Sequence, residues 1–514
     1  MLRARWPLAA AARYFSAKTS PHPEFIAPYE VATGAGAGDR GKDTLGRRLL
    51  KLIYTKRSAV VVLRKWAEEG KTIQKYQLNR VVRELRKYKR FKHALEICEW
   101  MRTQQDIKLL PGDYAVHLDL IAKVRGLASA EKFFEDLPEL MKGQSTCTAL
   151  LHTYVQNNLP SKAESLMKEM SAQGLLRCSL PYNHMLSLYL SKGELEKIPK
   201  VVEELKKNTS PNELTYNLWL SSCAVKDDVE GAEKIFLEMK MRKIAADWVT
   251  YSTITNIYIK ANLREKAEEA LKEMEKKVTR KERSGYCSLL SLHASLSSKD
   301  EVDRIWNKMK SMFRKLSDVE YKCMLSSLTK LGDIKEAEDI YSEWESMSGT
   351  RDSRVPNILL AFYTKNGMME KAESFYQHTV QEGIKPCYTT WETLALGYLN
   401  KKKMDKVLDC LEKGFSSLEK WEPNKVLVRA VFSKFEKLAD IEGAERFLVM
   451  LRNAGYVTTE IYNFLLRTYA KAGKMPLIIT ERMETDNVQP NEETQSLIKL
   501  TSRFCVGSVS TLIS

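Results

Sequence analysis

Residues 213–247 read ELTYNLWLSSCAVKDDVEGAEKIFLEMKMRKIAAD. In the second half Val229, Ala232, Ile235, Phe236 and Met239 recur at helical spacing, while Glu230, Glu233, Lys234, Glu238 and Lys240 take the opposite face. The first half, from Tyr216 to about Ala224, reads as another helix. Two helices of about a dozen residues cannot bury their apolar stripes alone, so such a unit requires neighbours of its own kind on both sides.

The neighbours are present. Residues 248–282, WVTYSTITNIYIKANLREKAEEALKEMEKKVTRKE, repeat the layout at a spacing of 35: Tyr251 follows Tyr216, Ala267 follows Ala232 and Met274 follows Met239. Upstream, one unit contributes Tyr182 and Asn183, and the one before it Ala163, Leu166 and Met170. Aligned on the same alanine, units begin near Lys75, Pro111, Gln144, Ser179, Glu213, Trp248, Arg283, Asp318, Ser353, Tyr388, Lys425 and Thr459, at spacings of 32 to 37, with a truncated partner helix from about Glu492. No linker rich in Gly, Pro or Ser interrupts residues 75–490, and strand signals are weak.

A helical hairpin that opens with Thr215, Tyr216 and Asn217 and carries Lys-x-Gly at its turn (Lys330 with Gly332, Lys365 with Gly367, Lys471 with Gly473) resembles the pentatricopeptide repeat, as does a close on Ile384, Lys385 and Pro386. The resemblance spans about residues 75–500. The tetratricopeptide repeat is the nearest rival, and its Trp-x-x-Leu-Gly signature is missing from these first helices. The expected fold is therefore all-α: an α-solenoid, one right-handed superhelix of about 12 antiparallel helix-pair repeats with first helices lining the concave side. Ala94, Ala130, Ala163, Ala232, Ala267, Ala337, Ala372 and Ala444 should be buried where helices approach closely. Residues 1–38 read as a transit peptide and flexible segment, 39–74 as a basic helical cap, 75–490 as the repeat array and 491–514 as a partial repeat.

The leader carries Arg3, Arg5, Arg13 and Lys18 and no acid, alternating with Leu2, Trp6 and Leu8, as an organellar transit peptide does. Arg13, Tyr14, Phe15 and Ser16 resemble a mitochondrial processing site with cleavage after Phe15. A mitochondrial destination is expected, with the plastid as the alternative. The formal charge of +16 is uneven: residues 39–108 hold a net +12 and everything beyond them only +2. Basic surface attracts phosphate by releasing counterions, and Arg80, Arg83, Arg86, Lys87, Lys89, Arg90 and Lys92 form the densest cluster. Nothing approaches 18 consecutive apolar residues, so no membrane span is expected. Nine singly scattered cysteines suit buried thiols better than a disulfide framework.

Enzymatic signatures are missing. Some plant relatives of the resembled family end in a zinc deaminase domain, which needs His-x-Glu and Cys-x-x-Cys. Here His22, Pro23 and Glu24 match the first triplet inside the leader, and no Cys-x-x-Cys occurs. There is no His-Glu-x-x-His, Walker A loop or dinucleotide fingerprint, so no catalytic residue, metal or cofactor is expected.

The resemblance implies one base per repeat, read by the residue after the first-helix Tyr together with the last residue of the unit. Asn217 with Asp247 resembles a uracil-reading pair, and Asn183 with Asn212 and Asn463 with Asn491 resemble pyrimidine-reading pairs. The remaining positions pair Asn79 with Leu110, Ala115 with Gly143, Thr148 with Cys178, Ser252 with Glu282, Cys287 with Ser317, Lys322 with Asp352, Asn357 with Cys387, Glu392 with Asn424 and Arg429 with Thr458. Leu, Cys and Gly cannot make the directional contact that the second position needs, so three units of twelve look competent. The expected partner is single-stranded organellar RNA, messenger or ribosomal, for transcript stabilisation, processing or translation. The alternative is a structural or interaction protein associated with the mitochondrial ribosome, with little sequence-specific RNA readout.

Overall fold

A computed structural model describes residues 43–52, 58–347, 352–417 and 424–507. The transit peptide, its processing motif, the flexible segment and His22 lie outside the described residues. Among the described residues every regular element is helical. The chain divides into two compact units, Met1–Thr279 and Arg280–Ser514.

The first unit contains α1 (Leu45–Leu50), α2 (Ala59–Glu68), α3 (Lys75–Lys87), α4 (Phe91–Thr103), α5 (Pro111–Arg125), α6 (Leu127–Glu135), α7 (Gln144–Gln156), α8 (Pro160–Ala172), α9 (Ser179–Lys192), α10 (Ile198–Asn208), α11 (Glu213–Lys226), α12 (Val229–Met241), α13 (Trp248–Lys260) and α14 (Arg264–Lys277). The second contains α15 (Arg283–Ser295), α16 (Lys299–Met312), α17 (Asp318–Leu331), α18 (Ile334–Ser346), α19 (Pro356–Lys365), α20 (Met369–Gln381), α21 (Tyr388–Asn400), α22 (Met404–Ser416), α23 (Lys425–Leu438), α24 (Ile441–Asn453), α25 (Thr459–Lys471), α26 (Ile479–Thr485) and α27 (Glu492–Gly507). Within each unit a first helix packs on its own partner and on the first helix of the next pair, as α9 does on α10 and α11, and α17 on α18 and α19. Each unit is thus an α-solenoid of stacked helix pairs.

First helices start where the sequence spacing put them, with one exception: α19 begins at Pro356 rather than Ser353. Proline at the first helical position loses no hydrogen bond, and a turn formed by Val355 N–H donating to Asp352 O precedes it. The eight equivalent alanines are all buried, none more than 2 % exposed. A larger side chain there would hold the paired helices apart. Around the central pair, Tyr216, Leu220, Ala232, Ile235, Met239, Ile254 and Ile257 form one apolar cluster. Burying a side chain such as Ile235 or Met239 is worth roughly 1.5–3 kcal/mol, so this packing dominates the stability.

The Lys-x-Gly turn has a conformational reason. Gly332, Gly367 and Gly473 take φ of +84°, +73° and +66°, the left-handed region in which a Cβ is penalised. Equivalent turns use Asn158, Asp227, Asn262 and even Ala439 at positive φ. Some second helices are then capped by acids: Asp228 accepts from Gly231 N–H and Asp440 from Gly443 N–H, both at 2.9 Å.

Polar ties link consecutive pairs in a recurring form. Tyr189 on α9 donates to Glu164 on α8 at 2.9 Å, and Lys197 reaches the same carboxylate at 2.7 Å. Tyr363 and Lys371 repeat this on Glu338, and Tyr398 and Lys406 on Glu373. Each hydroxyl bond contributes about 1 kcal/mol and the exposed lysine less, so these ties set register more than they supply stability. Helices α1 and α2, in the segment expected to cap the array, pack on α3 and α4 respectively. Ala59, 35 residues before Ala94, is likewise fully buried.

Candidate nucleic-acid interface

The three Asn pairs converge. Asn183 Nδ2 donates to Asn212 Oδ1 at 3.1 Å, Asn217 Nδ2 to Asp247 Oδ1 at 3.2 Å, and Asn463 Nδ2 to Asn491 Oδ1 at 3.2 Å. Residues some thirty positions apart meet because the second member caps the following first helix. Asn212, Asp247 and Asn491 accept from the backbone N–H of Thr215, Thr250 and Thr494 at 3.0, 2.9 and 2.9 Å. The same threonines close the network, donating their hydroxyls to the first Asn: Thr215 to Asn183 at 2.9 Å, Thr250 to Asn217 at 2.6 Å and Thr494 to Asn463 at 2.7 Å.

This network fixes each amide. The Asp247 carboxylate only accepts, and the capping oxygens of Asn212 and Asn491 are committed to a backbone N–H. Turning an Asn over would set oxygen against oxygen. One edge of each amide is therefore consumed by the cap and the threonine, and in Asn183 and Asn217 Nδ2 retains a second hydrogen. Asn183, Asn217 and Asn463 are 1 %, 1 % and 3 % exposed. Their partners are more open, Asn212 and Asp247 half-buried and Asn491 exposed.

Two further pairs come together. Asn424 Nδ2 reaches Glu392 Oε1 at 2.5 Å, and Asn357 Nδ2 reaches Cys387 Sγ at 3.4 Å and Thr389 Oγ1 at 2.9 Å. In two more units the expected partner is replaced. Asn79 bonds Asp113 at 3.1 Å instead of Leu110, whose side chain offers nothing, and Arg429 pairs with Glu460 at 2.7 Å instead of Thr458. Thr250, Thr494 and Asp113 were missed in the sequence, and Thr215 was noted there only as part of the opening motif. For the three threonines the signal was available as Asx-x-x-Thr, a capping pattern spanning the boundary between units; Asp113, which follows Leu110, carries no such signal.

The basic cluster is not one surface. On α3 the apolar Leu78, Val81, Val82 and Leu85 face inward, which leaves Arg80, Arg83 and Lys87 as an exposed stripe beside Tyr76. Lys89 and Lys92 are also exposed. Arg86 instead turns in to Asp119 at 2.9 Å, where Asp119 is 1 % exposed and also meets Lys123 at 2.8 Å. Arg90 donates to the carbonyl of Leu50 at 2.8 Å. Burial alone would raise the Asp119 pKa, but Lys123 and Arg86 outweigh it and hold the carboxyl below its ordinary value.

His117, His152 and His184 are buried, and the last two rings lie 4.8 Å apart. Burial pushes His117 and His152 down to about 4 and His184 well below its ordinary value, so all three are neutral at pH 7. Among the described residues no group of His, Cys, Asp or Glu could hold a metal ion, and no helix is long and apolar enough to cross a membrane. The eight described cysteines form no disulfide, and six are buried.

A solenoid of helix pairs with capped Asn networks at the seams defines a class of repeat protein, and comparison places the chain within it. The PPR repeat model matches residues 145–175, 249–277, 321–348 and 355–384, the PPR repeat family model 211–257 and the pentatricopeptide repeat domain model 165–226. Pentatricopeptide repeat-containing protein At4g02820, mitochondrial, of Arabidopsis thaliana is 55 % identical over 474 residues, covering 92 % of this chain and 89 % of its own. At1g02370, mitochondrial, from the same plant is 34 % identical over 462 residues, covering 88 % and 86 %. The solved pentatricopeptide repeat protein PPR10 from maize is similar at 16 % identity over 90 % of this chain and 70 % of its own, with a TM-score of 0.39. The chain belongs to the pentatricopeptide repeat family.

Proposed function

We propose that this protein is a mitochondrial factor that binds single-stranded RNA and acts in the stabilisation, processing or translation of a transcript. The observation that carries this is the pair of networks with the same bonding pattern in consecutive units, Asn183 with Asn212 and Thr215, then Asn217 with Asp247 and Thr250. Each holds an amide in one orientation with one N–H beyond the internal bonds. A fixed donor discriminates among base edges, where a freely turning amide would accept any. Beside it the Asp247 carboxylate only accepts, which matches the ring N–H of uracil, whereas Asn212 can also donate and suits either pyrimidine. The stripe of Arg80, Arg83 and Lys87 supplies phosphate contacts that position the strand without specifying it. Family membership and the word mitochondrial in both relatives' names support the rest, as does the acid-free leader of residues 1–20.

The test is a titration of Asn217→Ala/Asp247→Ala on pyrimidine-rich and purine-rich single strands. A weakening of about 1–3 kcal/mol confined to the preferred strand is expected, the worth of a bidentate pairing with a base edge. Equal affinity and unchanged preference would remove the reading.

The structural role at the mitochondrial ribosome has its own support. In the second unit Glu392 is tied to Asn424 and Arg429 to Glu460, so side chains at reading positions are spent within the protein. Crosslinking in the organelle separates the two: reads gathered on one messenger favour the transcript factor, and reads on ribosomal RNA the structural role.

A further inference from the structure

The unit of Asn463, Asn491 and Thr494 copies the two networks of the first unit, yet its outward amide hydrogen is taken. Asn463 Nδ2 also donates to Glu493 Oε2 at 3.1 Å, and Glu493 is held by Arg467. Glu493 lies two residues after Asn491. The same place is occupied by Leu214 after Asn212 and by Val249 after Asp247, neither of which can accept a hydrogen bond through its side chain. A fourth unit follows the same rule: Thr389, two residues after Cys387, takes the amide hydrogen of Asn357 at 2.9 Å. A polar residue at this place coincides with an occupied amide, an apolar one with an amide bonded only to its cap and its threonine.

Glu493 also shows where a ligand would sit. Its exposed side chain reaches Asn463 from solvent, although Asn463 itself is only 3 % exposed. The second amide hydrogen thus faces outward, and what fits it is an acceptor oxygen or nitrogen. Resting on the RNA-binding reading above, the geometry points to Glu493 as an internal competitor, its carboxylate standing where a base acceptor docks in the other two units and silencing the Asn463 unit. Glu493 is a specificity-determining residue through what it withholds. Asn463 is a third reader that the chain keeps closed, and Asn183 and Asn217 are the open ones.

The experiment uses the full chain and a uridine oligoribonucleotide in which one adenine is walked from end to end. For the wild type, adenine should weaken binding at the two places read by Asn183 and Asn217. Glu493→Val, which installs the residue type of the open units, should add a further sensitive place with a penalty of roughly tenfold, and Glu493→Val/Asn463→Ala should lose it again. Glu493→Gln keeps an acceptor oxygen but no charge, so it should strengthen binding to every strand and add no sensitive place. Melting curves establish that each variant is folded, and Glu493→Ala replaces the valine should that variant fail to fold. If neither the Val nor the Ala variant adds a place while Asn217→Ala erases one, the competitor role is wrong and the RNA reading stands. If Gln adds a place as well, charge rather than occupancy is the cause, and the inference is again overturned. If the wild type shows no sensitive place at all, the RNA reading itself fails.

Discussion

Arg86 and the buried histidines show how little a residue type says without its surroundings. Counted by composition, Arg86 belongs to a phosphate-binding cluster; in the fold it neutralises Asp119 in a nearly dry site. Arg86→Ala should therefore lower stability by about 3 kcal/mol, the low end for a broken buried pair because Lys123 still faces Asp119. Urea unfolding would measure it, and Arg83→Ala, an exposed neighbour, should unfold like the wild type. The histidines give a pH signature. His117 and His152 titrate near 6.5 in the unfolded chain and at about 4 in the fold. Below pH 6.5 the unfolded state binds protons that the folded state refuses, so stability falls as pH drops from 6.5 to 4, by up to about 3 kcal/mol per histidine. For His152 the carboxylate of Asp119 opposes this trend, while Lys123 and Arg86 reinforce the burial. Melting temperatures between pH 6.5 and 4.5, above the range where paired carboxylates protonate, should fall for the wild type and stay flatter for His152→Leu/His184→Leu.

At the scale of the helix, two positions four residues apart predict opposite outcomes for one pair of amino acids. Ala439 ends α23 with φ of +52°, where its Cβ is strained, so Ala439→Gly should stabilise by about 1 kcal/mol. Gly443 lies in the first turn of α24, and a Cβ there would collide with Cε1 of the fully buried Phe435. Gly443→Ala should destabilise by about 1–3 kcal/mol despite the better helix propensity of alanine. Thermal denaturation of both variants against the wild type tests the pair. Elements were the part of the fold most open to sequence reading, because apolar periodicity and a repeated alanine report on packing inside one unit. Register Tyr216 to Tyr251 and Ala232 to Ala267 fixed helix starts closely, and only Pro356 shifted one. The seam between units was less open to it. Asn217 and Asp247 could be paired from the resemblance, but Thr250, Asp113 and Glu493 act across a boundary that single-unit periodicity does not see. Burial of the Asn side chains was equally hidden, since it depends on how closely two helix pairs approach.

For the whole molecule, charge is segregated toward one end of the sequence, and the exposed part of that charge is smaller than the composition suggests. Reversing Arg80, Arg83 and Lys87 should weaken binding to all single strands alike and flatten the slope of log affinity against log salt by about 2, since each neutralised phosphate on a single strand adds about 0.7 to it. Titrations at several salt concentrations read this directly, and a change confined to one sequence would contradict a phosphate role. The ties between consecutive pairs have a consequence of another kind. Tyr189 reaches back 25 residues to Glu164, Lys197 33 residues to the same group, and Arg90 40 residues to Leu50. Partners so close in sequence place little loop-closure entropy ahead of the reward, so such a chain folds early and in short steps. A polypeptide drawn unfolded through a narrow translocation channel could then set its first helix pairs against one another while the remainder is still in transit, with the emerged part never waiting on a distant partner.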